Sequence, residues 1–175
     1  MDEIGFWHTG VMPDEVNPKH DTMRHEVLWG SLMAGAAGVE WYFGAHYPHN
    51  DLACEDWRSR ENMWKQTDYA ISFFQEYLPY WEMKPMDDLL NVEDAYCLAQ
   101  KDKVYAVYFP IGSSSIRKID LGDREGNYIV KWYNPRTGGD LIEGTVAEIK
   151  GQSWQSIGLP QTEVDQDWVA LVSKK

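Results

Sequence analysis

Val104-Tyr105-Ala106-Val107-Tyr108-Phe109 is a run of six apolar or aromatic residues, bounded by Lys101-Asp102 before it and Pro110 after it. A strand with one wet face would alternate polar and apolar; this one does not, so it reads as a central strand covered on both faces. Its neighbours keep the period of two. Ala95–Gln100, Ser115–Asp120, Asn127–Asn134, Leu141–Ile149 and Trp168–Ser173 are further strand candidates, separated by turn signals such as Gly122-Asp123 and Thr137-Gly138-Gly139. Short strands at this spacing argue a sandwich or barrel, and an antiparallel β-sandwich over residues 91–175 is the expected form.

Upstream of about Leu90 the period becomes helical. Asp21 is placed to cap a helix from Thr22, with Met23, Val27, Leu28 and Leu32 on one face, running into the small-residue stretch Ala34-Gly35-Ala36-Ala37-Gly38. Val39-Glu40-Trp41-Tyr42-Phe43 then reads as a short buried strand. A second helix is expected from near Trp57, capped by Asp56 or Ser59, to Leu78 before Pro79. Its apolar seam is Trp64, Thr67, Ile71, Phe74 and Leu78, widened by Met63, Ala70, Phe73 and Tyr77. The expected class is therefore α+β, with residues 1–90 mainly helical and 91–175 all β.

With 43% apolar residues, nine Trp and ten Tyr in 175 residues, the chain carries ample material for a packed core. Its net charge of −12 opposes binding to nucleic acid or an anionic membrane, both of which need clustered Lys and Arg. No stretch approaches the roughly 20 apolar residues of a membrane span. The first residues carry no basic region followed by an apolar run, so they do not read as a signal peptide. Cys54 and Cys97 suggest neither a zinc site nor a disulfide framework and leave one bridge between the halves open. No phosphate-binding glycine loop or nucleophile-elbow motif is present, and no cofactor is expected.

Several residues are candidates for a site. Glu40 lies within a predicted strand, where a carboxylate needs a partner such as Arg24 or Arg58, or else a shifted pKa. His46, His49 and Asp51 share the loop that follows, with ordinary metal-ligand chemistry but a spacing interrupted by Pro48; no metal is assigned. Trp7, Trp41 and Tyr42 border the same loops and offer flat faces for a sugar ring. His8 and Arg58 could line the same edge.

The run from Met23 to Gly44, MRHEVLWGSLMAGAAGVEWYFG, resembles the last part of the barrel in bacterial glycoside-hydrolase-like proteins that end in a domain labelled collagen-binding. Trp132-Tyr133-Asn134-Pro135-Arg136-Thr137-Gly138-Gly139 and Asp167-Trp168-Val169 resemble signatures of that terminal domain. The resemblance implies that residues 1–90 are the closing units of a (β/α)8 barrel, whose sites lie at the strand C-termini. It places Glu3 at the nucleophile position; Glu40, from its own place inside the predicted strand, is the runner-up catalytic candidate. It also implies secretion or a periplasmic location for the full-length family. Glycoside hydrolysis needs two carboxyl groups about 5–5.5 Å or about 6.5–9.5 Å apart, and the barrel units that would carry the second are outside this sequence. The chain alone is thus expected to be inactive; its β domain is then a binding module for polysaccharide or collagen, or a purely structural buttress of the barrel, and self-association through the incomplete barrel is expected.

Overall fold

A computed structural model of the protein describes residues 7–123 and 125–175. The fold is α+β. Helix α1 opens with π-helical geometry over Met23–Trp29 and continues as α-helix over Gly30–Met33. Helix α2, Glu61–Tyr77, is entered through a 3-10 turn at Trp57–Arg60. Eight strands follow: β1 Lys84–Pro85, β2 Tyr96–Gln100, β3 Val104–Phe109, β4 Lys118–Asp120, β5 Asn127–Tyr133, β6 Glu148–Lys150, β7 Trp154–Ser156 and β8 Trp168–Lys174. Six form an antiparallel sheet in the order β1-β2-β3-β8-β5-β6, and β4 pairs with β7 in a second, two-stranded sheet.

β3 sits inside the large sheet between β2 and β8, and all six of its residues are buried. Its even-numbered residues Val104, Ala106 and Tyr108 face the helices. The odd-numbered Tyr105, Val107 and Phe109 face the other way, into a core with Ile119, Leu121, Trp132 and Ile157 beneath the small sheet. The molecule is thus three layers: helices, large sheet, small sheet. Trp29 of α1 stacks on Tyr108 of β3, with ring centroids 5.2 Å apart and planes within 1°. Phe73 of α2 meets Tyr133 of β5 at 4.8 Å. Each such buried aromatic contributes roughly 1.5–3 kcal/mol by leaving water.

Several expectations need correction. Asp21 does not cap α1; it lies in the first helical turn and accepts a hydrogen bond from Arg24. α1 stops at Met33, since Gly35 at φ +85° turns the chain out of the helix. Residues 39–43 form no strand beyond a single bridge position at Trp41, because a ladder needs a continuous neighbour and the 8–11 segment supplies only local contact. Ile71 lies off the seam of α2 and is 44% exposed. Asp56 does cap the second helix, accepting from Arg58 N at 3.0 Å. No helix among the described residues is long and apolar enough to cross a membrane.

Candidate functional site

The loops flanking residues 39–43 bring several of the predicted residues together. Val11 N donates to Tyr42 O at 2.7 Å, and the amides of Ala45 and His46 both donate to His8 O. Gly10 and Gly44 permit this approach: a Cβ on Gly10 would lie 2.3 Å from Tyr42 O, and one on Gly44 2.5 Å from His8 O. Trp7 and His8, neighbours in sequence, have ring centroids 4.6 Å apart, and the approach of the two segments sets His8 and His46 6.0 Å apart. The Tyr42 hydroxyl donates to Trp7 O at 2.7 Å. Trp7 is 82% exposed.

The other predicted residues serve the loops themselves. Trp41 donates its indole N–H to Thr67 and packs against the helical core. His49 Nδ1 accepts from Asp56 N, and Asp51 accepts from Phe43 N. Arg58 lies over Trp57 at 5.0 Å. Glu40 is exposed, so the need for an ion-pair partner disappears, and Arg24 is committed elsewhere. Glu3 lies outside the described residues. No group of three His, Cys, Asp or Glu among the described residues is placed to hold a metal. Cys54 and Cys97 are both free, the first exposed and the second buried.

A second cluster joins helix to sheet through Arg24 and Asp167, which the sequence names separately without pairing them. Asp167, fully buried at the start of β8, accepts from Arg24 Nε at 2.7 Å, Arg24 Nη2 at 3.1 Å and the Tyr108 hydroxyl at 3.0 Å. His25 Nε2 stands 3.5 Å away and Arg136 Nε 3.8 Å. Burial alone would raise the Asp167 pKa, but hydrogen bonds from His25 and Arg24, with their charges, hold it well below the usual carboxylate range. Arg24 also donates to Lys19 O, Gln66 and Asp21. These bonds occupy its guanidinium along the wall of an adjoining polar cleft of about 450 Å³, which includes Tyr69, Arg136, Thr137 and Glu163. A buried ion pair saturated from within the protein ties layers together and leaves little capacity for a ligand. The signal was available in principle, since Arg24 sits in a helix whose other face-forming residues are apolar.

A third feature is apolar. A groove of about 450 Å³ runs between the end of α1, helix α2 and the turn at Tyr80–Glu82. Leu32, Phe74, Met83 and Leu98 are buried at its base. Ile71, Tyr80 and Trp81 stand at its rim, 44%, 46% and 72% exposed. Phe74 and Tyr80 have ring centroids 6.3 Å apart, and Tyr80 meets Trp81 edge to face at 5.1 Å.

A family model described as "Putative collagen-binding domain of a collagenase" matches residues 86–173. The chain belongs to this family. The match takes in β2 through β7 and all but the last residue of β8, so this collagen-binding-type domain contributes both inner faces of the large sheet. It includes the Trp132–Gly139 and Asp167–Val169 motifs and supports the C-terminal half of the resemblance drawn from sequence; the glycoside-hydrolase half falls outside the matched span. No curated protein matches the chain.

Proposed function

We propose that the chain is a non-catalytic binding module whose ligand is collagen. The family match over residues 86–173 carries this reading, because that span supplies the sheet on which the rest of the molecule packs. Fold alone would not, since one scaffold hosts many functions. Exposed aromatic side chains beside the sheet, Tyr80 and Trp81, suit a ligand built of apolar rings and amides. The test is retention of the purified chain on immobilised fibrillar collagen beside insoluble glycans. Retention on collagen is expected; retention on glycans alone overturns the reading.

A second reading is favoured by the Trp7, His8, Tyr42 and His46 cluster. It makes residues 1–90 the closing part of a glycoside-hydrolase barrel, residues 91–175 its accessory domain, and that cluster the rim of a carbohydrate cleft with Glu3 as nucleophile. On this reading the chain alone still turns over no aryl glycoside. Retention on insoluble glycans that Trp7→Ala abolishes, with no retention on collagen, would reverse the order of the two readings, whereas measurable aryl-glycoside hydrolysis that disappears in Glu3→Gln would overturn the expected inactivity of the chain.

A further inference from the structure

We propose that the groove edged by Ile71, Tyr80 and Trp81 binds a single extended proline-rich strand in the polyproline II conformation. The choice of ligand rests on the collagen-binding reading; the choice of place rests on the groove itself.

Trp81 and Tyr80 expose large aromatic faces at a site whose base is already apolar, a combination that marks interaction surfaces rather than scattered surface residues. The lining carries no charged side chain, although the chain as a whole has a net charge of −12. An uncharged ligand fits that neutral window, whereas an acidic segment would meet the field of the molecule around it. At the rim the Tyr80 and Trp81 rings cross at 81°, and Tyr80 stands at 53° to Phe74 buried beneath it, so the rim forms ridges rather than one flat platform. Crossed aromatic ridges suit a ligand with three residues per turn and a rise of about 3.1 Å per residue, whose proline rings recur as knobs.

A polyproline II strand makes no internal hydrogen bonds, so its carbonyls need donors when water leaves. The groove offers the Gln75 amide, the Tyr80 hydroxyl and the Trp81 indole N–H among its lining residues. On the opposite side the chain turns sharply at Gly35, φ +85°, where a Cβ would lie 3.8 Å from the Pro85 ring. This turn brings Ala36 and Ala37 to the lining, whose short side chains let a backbone come close.

The experiment titrates a short polyproline peptide into the full chain, following Trp emission and heat, and compares Trp81→Ala, Tyr80→Ala and Trp154→Ala. Trp154 lies on β7, away from the groove. Saturable binding is expected, weakened at least about tenfold by Trp81→Ala and by Tyr80→Ala and unchanged by Trp154→Ala. Circular dichroism of the variants should match that of the parent, since both rim residues are substantially exposed. Binding indifferent to Trp81 and Tyr80, or no binding, overturns the assignment. A doubled mass by light scattering that Trp81→Ala returns to the monomer also overturns it, by making a second copy the occupant. Collagen retention that survives Trp81→Ala removes the groove and leaves the collagen reading standing. Peptide binding through Trp81 without collagen retention does the reverse.

Discussion

Asp167 holds a negative charge out of water because Arg24 grips both of its oxygens and Tyr108 donates to one of them. Its folded pKa lies far below the value of about 3.9 expected in the unfolded chain, so it contributes stability above about pH 4 and loses that contribution as acid titrates toward the folded value. Asp167→Asn should cost about 3–5 kcal/mol at neutral pH, since it leaves Arg24 buried beside a neutral amide. The variant should also lose less stability than the parent on acidification below about pH 4; urea melts at neutral and acid pH check both. Arg117 makes the opposite choice. Its guanidinium is buried over Phe109 at 4.4 Å and Trp132 at 5.4 Å, and burial lowers its pKa to about 10. The Arg24–Asp167 pair could not be read from sequence, because 143 positions separate the partners and only the packing of helix on sheet brings them together.

At the scale of elements, what was legible depended on length. β3 and β8 carry a sustained apolar pattern and appear where expected. β1 and β7, two and three residues long, are too short to display a period and were not anticipated. The predicted strand Leu141–Ile149 survives only as the bridges at Ile142 and Gly144 and as β6, Glu148–Lys150. Gly144 lies against Trp132, where a Cβ would sit 2.3 Å from the indole nitrogen, and the chain there pairs with Pro160. The turn after β5 docks on α2 by similar means. Gly138 has φ +66°, and an added Cβ would lie 2.5 Å from the Tyr69 ring, while Tyr133 donates its hydroxyl to Tyr69 O. Gly138→Ala should therefore destabilise by about 1–3 kcal/mol from backbone strain, plus the displacement of Tyr69. Thermal melts of the single variant and of Gly138→Ala/Tyr69→Ala separate the two contributions, and the double variant should recover the clash but not the strain.

Across the whole molecule, helices and sheet share one apolar core: Trp29, Met63 and Phe73 pack with Leu98, Tyr108 and Leu171. The periodicities distinguished the two halves of the chain, but periodicity cannot report whether two halves close on each other. Far-UV circular dichroism and Trp fluorescence should follow one coincident thermal transition. Two separate transitions would instead make residues 1–90 and 91–175 independent units.

The large sheet ends in β1, where Pro85 has no N–H to give, and in β6, where Glu148 and Lys150 are exposed. Such short, proline-bearing and charged margins resist the addition of a further strand. Adding a strand to the backbone ladder is therefore disfavoured at both margins, for a ligand and for a stacked copy of the chain alike. Recognition is left to side chains standing on the surface, which can be changed one at a time without disturbing the hydrogen-bonded frame beneath them.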